Sequence, residues 1–396
     1  RPPRSTLFPY TTLFRSIDEF PKPGGRLLGQ LYQEKKGTWW NGIQETEKLL
    51  EKLEQLHAEL RCGVSAVHIE KTEAGFQVFT NEGVLEAENV LIASGAAEAP
   101  APIPGWTLPG VMSIGAAQVM TNVHRVRVGD RGIIIGINAL SAAIAQELLL
   151  AGIELHSMVL PALHPALKKH GDPNIVMEDL ARMAHLAPSK WIQLGSSFMK
   201  SPAVRKLAVK YYPKSGVKIW GMPIHVRKAA TAIHGTEQVE AVTICDISAN
   251  GEPIPGSEKT VEVDFACISG GLYPLAELAA AAGCPFQYIE ELGGHVPLHN
   301  EYMETPLEGL YVAGNITGIE SAKVALAQGT LAGLSIVRRK LSHHEKLEQQ
   351  IQDAANHVKQ VREHADIQFL PQIVQGRLKM EEAYRKHIAG QKEVAG

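Results

Sequence analysis

The 396 residues carry 39 Lys and Arg against 42 Asp and Glu, a formal charge of −3 with no basic block, which excludes nucleic acid as the main partner. Hydrophobic residues make up 45%, enough for two or three packed domains. No apolar run approaches the ~18 residues of a membrane span, so none is expected. Cys62, Cys245, Cys267 and Cys284 lie far apart and form no CxxC. That spacing suggests neither a redox dithiol nor a zinc or iron–sulfur site, no metal is expected, and scattered core thiols fit a reducing cytoplasm.

In chain order, Thr6 to Ser16 (TLFPYTTLFRS) resembles the translation of a sequencing adapter and lacks the pattern of a signal peptide, so residues 1–16 are set aside from fold reasoning. Ile17-Asp18-Glu19 then precedes a turn containing Gly24-Gly25-Arg26. An acid at the end of an apolar strand can accept both ribose hydroxyls of a dinucleotide, although a Pro- and Gly-rich surface turn reads the same way. Residues 42–60 place Leu49, Leu50, Leu53, Leu56 and Leu60 at helical spacing. Residues 63–92 alternate and turn as a β-meander that leads into Leu91–Gly95, LIASG. The prolines from Pro100 to Pro109 form a rigid crossover, the first domain boundary.

Arg131 to Leu150 opens a second unit of Rossmann type: strand Ile133-Ile134-Ile135, then Gly136, then a helix. Its GxGxxG pattern is degenerate. Gly136 fits the first glycine, but Asn138 and Ser141 stand at the other two positions, where close approach to a pyrophosphate needs glycine. The strand from Ile153 to Leu160 ends without an acid for a ribose or an Arg for a 2′-phosphate. A structural unit or an altered adenine-nucleotide site is expected, with NAD(P) uncertain. Residues 162–216 hold helical pieces at 175–184 and 203–212, with basic and aromatic residues interleaved. His164, His170 and His185 lack metal-ligand spacing. Residues 217–269 read as strands (VKIW, IHVRKAATAI, VEAVTICDI, TVEVDFACISGG), with Asn250-Gly251 as a hairpin turn. A helix from Leu275 to Ala282 follows. His295 and His299 flank Pro297 and read as structural.

The organising stretch is GLYVAGNITGIESAKVALAQGTLAG, residues 309–333. Apolar Leu310–Ala313 ends in Gly314-Asn315, and a small-residue helix starts near Ile319 and runs through Ala322. Strand, tight glycine turn and helix start present backbone N–H groups to an anionic or electron-rich ligand. An ordinary buried strand–helix joint is the alternative. Residues 341–396 show helical spacing at Leu347, Ile351, Ala355, Val358 and Val361, a tail that docks a partner or covers its own domain.

The 309–333 stretch resembles the C-terminal FAD motif of two-dinucleotide-domain flavoproteins, the class of thioredoxin reductase and dihydrolipoamide dehydrogenase. Asn315 stands where their Asp reaches the ribityl chain. The resemblance implies that Asp18 takes the ribose position, with Glu19 as alternative, beside Gly24, Gly25 and Arg26. It also implies that Ser94-Gly95 stands for the Thr-Gly after the meander. The family places a strand–GxGxxG–helix before the ribose acid, so the resemblance implies that this element is missing here, where the adapter-like segment stands. Within the class, Trp106–Met112, Ser269-Gly270-Gly271-Leu272-x-Pro274 and Ala313-Gly314-x-x-x-Gly318-Ile319-Glu320 resemble the large FAD subunits of hydrogen cyanide synthase, opine oxidase, dye-linked proline dehydrogenase and heteromeric sarcosine oxidase.

The expectation is an α/β protein with two Rossmann-like dinucleotide-binding domains. The FAD domain is discontinuous (17–110 and 285–340), an NAD(P)-like domain is inserted (111–284), and 341–396 is a helical tail. The resemblance implies that the chain is a cytoplasmic FAD-dependent component of an oxidoreductase complex that oxidises an amino acid, N-methyl amino acid or opine by hydride transfer to flavin. A small iron–sulfur protein and a partner oxidoreductase subunit would accompany it. No catalytic acid or base is assigned. The competing expectations are an NAD(P)H-dependent flavin reductase feeding a ferredoxin, and a non-catalytic nucleotide-holding scaffold.

Overall fold

The structure is a computed structural model that describes residues 14–35, 38–163, 168–183, 199, 201–341, 345–365 and 368–395. His164, His185 and Trp191 lie outside the described residues. The largest sheet has 8 strands. Its path runs Val111–Ser113, Phe265–Ile268, Arg131–Ile135, Glu154–Pro161, Met222–His234, Ala241–Asp246 and Lys259–Glu262, with Val217–Ile219 added beside Met222–His234. The pairings from Val111–Ser113 as far as Met222–His234 are parallel, and the last two are antiparallel.

The central strand explains the layering. Side chains alternate across a strand, so Ile134 and its neighbours Ile133 and Ile135 face opposite sides. Ile134 packs with Ile114, Ile144, Ala145 and Leu148 of the helices Ile114–Asn122 and Ala139–Leu150. Ile133 and Ile135 pack with Ala101 and Ile103 of the Pro-rich crossover and with Ile233 and Val242. A sheet covered on both faces needs the continuous apolar run that the sequence shows there.

The stretch TVEVDFACISGG is two strands and not one. Lys259–Glu262 sits at the antiparallel edge and Phe265–Ile268 in the parallel centre. The break is at Asp264, whose carboxylate accepts the N–H groups of Asp130 at 2.8 Å and Arg131 at 3.0 Å and so turns the chain.

The remaining strands form small sets. Arg15–Asp18 runs parallel to Glu59–Cys62, and Val90–Ile92 runs parallel to Leu310–Val312. Ala66–Thr72, Gly75–Thr80 and Gly83–Ala87 form the expected meander. Ala96–Glu98 and Leu272–Pro274 pair antiparallel where the chain passes into and out of the segment that builds the large sheet. The strand Arg15–Asp18 starts inside the segment set aside on sequence grounds, because main-chain pairing of Arg15 and Ser16 with Glu59 and Leu60 makes little demand on side-chain identity.

The amphipathic helix spans Gly42–Gln55, capped by the Asn41 side chain, and stops short of residue 60. His57 turns the chain at φ 52°, and Leu60 lies in the strand Glu59–Cys62. At the C-terminus, Glu345–Glu363 lays Leu347, Ile351, Ala355 and Val358 on Ala327, Leu331 and Ala332 of the helix Ala322–Lys340. Ile373–Ala395 packs Ile373 and Met380 on Ile289, Leu292 and Val296. The tail therefore covers its own chain. Among the described residues, no helix is long and apolar enough to cross a membrane.

Candidate functional site

The strand Leu310–Val312 is buried throughout and leads through Ala313 into Gly314, at φ +78°. A side chain at Gly314 would meet only the Ala325 Cβ, at 3.6 Å, so glycine serves the backbone angle here and not a steric limit. A 3-10 turn, Gly314–Thr317, follows, and the helix starts at Ala322 with Ser321 as its N-cap. This is three residues later than Ile319. Gly318 at φ +140° interrupts the helix path, and the Ile319 N–H is drawn to the Leu292 carbonyl at 3.2 Å. Ile319 is a core residue, 2% exposed, while Ala322 is the first helical residue.

Most polar groups of this turn are hydrogen-bonded within the chain. The Gly314 N–H donates to Gln328 Oε1 at 2.8 Å, and the Thr317 hydroxyl donates to the Gly314 carbonyl at 2.8 Å. Asn315 Oδ1 accepts the Glu320 N–H at 3.1 Å. Gln328 is 1% exposed, yet its Nε2 is a buried donor without an acceptor. An unmet buried donor costs free energy, and a ligand beside the turn would supply its acceptor.

Behind the turn lies a cluster that sequence reasoning missed. Glu320 accepts from Arg362, Nε to Oε1 at 2.5 Å, and from Arg377. Arg377 also donates to the Thr317 carbonyl at 2.7 Å, to the Thr317 hydroxyl at 3.1 Å and to His299 Nε2 at 3.2 Å. Burial works to raise the Glu320 carboxyl, but the two guanidinium groups outweigh it and hold the group ionised. Burial, with Arg377 alongside, pushes His299 down to about 3, so the ring is neutral. Its Nδ1 bonds the Pro297 carbonyl at 2.8 Å, the structural role its sequence context suggests. Nothing in the spacing of Arg362 or Arg377 relates them to residues 314–320.

The front residues form a second group. Asp18 ends its strand and its Oδ1 accepts the Phe20 N–H at 2.9 Å, while Glu19 is exposed. Gly24, at φ +116°, has Thr46 side-chain atoms 2.7 Å and 2.8 Å from where a Cβ would stand, so only glycine fits without movement. Gly25 at φ +50° and Arg26 open the 3-10 turn Gly25–Gly29. Arg26 lies 3.7 Å from Glu98, whose carboxylate also caps the helix Ile114–Asn122 through Ser113 and the Gly115 N–H. The Ser94 hydroxyl donates to the Leu275 carbonyl at 2.5 Å, and the Leu275 N–H donates to Gly95 at 3.0 Å. Ser94 and Gly95 thus bind the crossing strands together. The hairpin Leu31–Lys35 and Thr38–Asn41 reaches the 309–333 region, where Lys323 Nζ stands 5.3 Å from the Trp40 ring centre.

The degenerate loop of the large sheet is a third, separate group. Asn138 is the N-cap of Ala139–Leu150, and with Ser141 it forms a reciprocal capping box. Asn138 Nδ2 donates to the Ser269 hydroxyl at 2.9 Å. Gly136 is at φ +117°, with the Ser269 carbonyl 2.1 Å from where a Cβ would stand. The helix N-terminus that would meet a pyrophosphate is occupied by its own side chains.

Another buried carboxylate was not anticipated. Glu147, 3% exposed, accepts from Gln118 Nε2 at 3.0 Å, Asn122 Nδ2 at 2.6 Å and the Leu31 N–H at 3.3 Å. Burial raises it to about 7 against the pull of those bonds. The one available signal was a lone charged residue on a helix that otherwise carries no charge. Cys245, Cys267 and Cys284 are buried free thiols, and burial pushes Cys284 up to about 12. Among the described residues, no group of three or more His, Cys, Asp or Glu could hold a metal ion.

Comparisons with known proteins agree with this architecture. The chain is 25% identical over 335 residues to an opine oxidase subunit from Agrobacterium tumefaciens (strain Ach5), covering 81% of this chain and 59% of that protein. It is 20% identical over 259 residues to hydrogen cyanide synthase subunit HcnB of Pseudomonas aeruginosa, covering 64% of this chain and 49% of that one. The chain thus spans less than two-thirds of the length of these relatives. Among solved structures, L-proline dehydrogenase from P. horikoshii superposes with a TM-score of 0.58 at 17% identity, covering 86% of this chain and 53% of that one. Thioredoxin reductase from T. acidophilum gives 0.55 at 18% identity, covering 82% and 90%. The pyridine nucleotide-disulphide oxidoreductase family model matches residues 17–329, the span that holds all three groups of site residues, and the chain belongs to that family of FAD flavoproteins.

Proposed function

We propose that the chain is the FAD-carrying subunit of an oxidoreductase that oxidises the C–N bond of an amino acid, an N-methyl amino acid or an opine. The observation that carries this reading is the self-capped loop at Asn138–Ser141, held against Ser269. Where such a loop is open, a nicotinamide nucleotide can bring its pyrophosphate to the helix N-terminus. Here those positions are filled, which favours electrons arriving from a substrate over electrons arriving from NAD(P)H. The likeness to an opine oxidase subunit points to the same substrate class. Relatives named as subunits support a partner oxidoreductase subunit. A small iron–sulfur protein is the proposed electron acceptor.

The residues present fit FAD. Gln328 Nε2 offers a buried donor, and the Asn315 amide keeps its NH₂ for a ligand hydroxyl while its oxygen serves Glu320. The helix Ala322–Lys340 starts beside the turn, so its N-terminal dipole favours an electron-rich ring edge near Ile319 and Ala322. Asp18, at a strand end, keeps one carboxylate oxygen for a ribose, with Glu19, Gly24, Gly25 and Arg26 alongside. Bound FAD supplies the acceptor for a hydride leaving the carbon next to the substrate nitrogen. The chain's own part is to orient and to exclude water. The FAD domain would comprise 17–110 and 285–340, with 111–284 inserted and 341–396 as a tail over it.

The test is anaerobic mixing of FAD-loaded protein, prepared with the N-terminal strand–loop–helix that the family resemblance implies, with candidate donors. Flavin bleaching with an amino acid or opine in the presence of a partner subunit supports the proposal. Rapid bleaching by micromolar NADH supports the flavin-reductase alternative, and a flavin that stays oxidised with every donor supports the scaffold.

A further inference from the structure

The two C-terminal helices lie beyond the segment that the family model matches, yet they reach back to the turn at 314–320. Arg377, on Ile373–Ala395, bonds both the carbonyl and the hydroxyl of Thr317. Thr317 in turn holds the Gly314 carbonyl, and its hydroxyl stands 3.4 Å from Gln328 Oε1, which takes the Gly314 N–H. Arg362, on Glu345–Glu363, holds Glu320, whose own N–H fixes the Asn315 side chain. Arg377 also bonds Glu320, so Thr317 is tied to one helix and Glu320 to both.

We propose that Arg377 and Arg362 are positioning residues: together they clamp the 314–320 turn from behind, so that Gly314, Asn315 and the start of Ala322–Lys340 stand ready for FAD. This rests on the flavin reading above.

Three observations support the clamp. First, the groups are withdrawn from water, with side-chain exposures of 6% for Glu320 and 14% for each arginine, so these charge-assisted bonds are little screened. Second, the arrangement carries a cost that a purely apolar seam would avoid: Arg377 Nε is a buried donor without an acceptor. A planar fork that spends its terminal nitrogens on a carbonyl, a hydroxyl, an imidazole and a carboxylate fixes geometry in a way that apolar packing does not. Third, two guanidinium groups face one carboxylate and a neutral His299, so the cluster holds one net positive charge behind the turn. That charge suits a cofactor whose electron density rises on reduction.

The experiment compares the full chain with Arg377→Met, Arg377→Lys and Arg362→Met by hydrogen–deuterium exchange, reading the peptide that spans Ala313–Ser321. FAD titration by quenching of flavin fluorescence is run on the same variants prepared, as in the test above, with the strand–loop–helix that the family resemblance implies. Arg377→Met is expected to raise exchange in that peptide by at least about tenfold, leave the strand Arg131–Ile135 unchanged, and weaken FAD about tenfold or more, the scale for losing bonds to a charged group. Arg377→Lys keeps the charge without the fork and should recover part of both effects. Unchanged exchange at 313–321, or an equal rise throughout the chain, overturns the clamp. A loosened turn with unchanged FAD affinity overturns the positioning role. If the parent prepared with that strand–loop–helix takes up no FAD, the flavin reading falls, and the exchange comparison alone decides whether the clamp exists.

Discussion

Asn138 and Ser141 cap one another: the Ser141 N–H donates to Asn138 Oδ1 at 3.0 Å, and the Asn138 N–H donates to the Ser141 hydroxyl at 2.9 Å. Two donors that a bound pyrophosphate would otherwise satisfy are used inside the loop. Disrupting the box to admit a dinucleotide would cost about 1–2 kcal/mol, the usual worth of an N-cap.

The first prediction follows from that loop. NADH and NADPH should bind at least roughly a hundredfold more weakly than in a family member with an intact GxGxxG. Three lost polar contacts at ~1 kcal/mol each set that scale. Calorimetric titration of the purified chain measures it directly. Low-micromolar binding of either nucleotide contradicts it.

Glu147 gives a pH dependence with a definite sign. Its folded pKa, about 7, lies above the unfolded 4.5. The folded chain therefore holds the proton more tightly, and the resulting stabilisation is complete below about pH 4.5, declines as pH rises towards 7, and is gone above that. The full span corresponds to about 3 kcal/mol. The difference in unfolding free energy between the parent and Glu147→Gln, measured from pH 5 to 8, isolates this group from the histidines. A pH-independent difference would show that Glu147 titrates normally. Because Glu147 also takes the Leu31 N–H, Gln118 and Asn122, the loss should appear first as looser contact between residues 29–31 and the helix Ile114–Asn122.

Asn315→Ala should weaken FAD by ~0.5–1.5 kcal/mol, roughly a twofold to thirteenfold rise in Kd, as expected for one lost hydrogen bond. Because Asn315 Oδ1 also holds the Glu320 N–H, the same change should raise amide exchange at Glu320. Fluorescence titration in the FAD-binding protein checks the first effect, and unchanged affinity would remove Asn315 from the site.

The three buried thiols should be inert. Burial pushes Cys284 up to about 12 and raises Cys245 and Cys267 as well, so little thiolate exists at neutral pH. In the folded chain, only the half-buried Cys62 should react with a thiol reagent within minutes, and all 4 should react after denaturation. Replacing the four by Ala or Ser should leave flavin reduction within a few-fold of the parent. Loss of turnover in a folded variant would restore a dithiol mechanism.

The sequence by itself determined the elements whose cause is local. The run Ile133-Ile134-Ile135 announces a strand buried on both faces, Gly136, Asn138 and Ser141 announce a glycine loop that has lost its open backbone, and Ala313-Gly314-Asn315 announces a strand end at a tight turn. Each rests on patterning or backbone freedom within a few residues. The tertiary structure alone decided what depends on distant partners. Asp264 splits one apolar run into two strands because the N–H groups of Asp130 and Arg131 lie opposite it. The helix after the motif starts at Ala322 and not at Ile319, because the Leu292 carbonyl takes the Ile319 N–H. Arg377 and Arg362 meet Glu320 only once the C-terminal helices fold back over the turn, and no periodicity in either helix encodes that meeting. Local propensity fixes where strands, turns and helices arise. Which buried charge finds which partner is a property of the packed whole, because burial makes an unpaired charge too costly to leave and the chain must then supply its counter-ion from wherever the fold brings one.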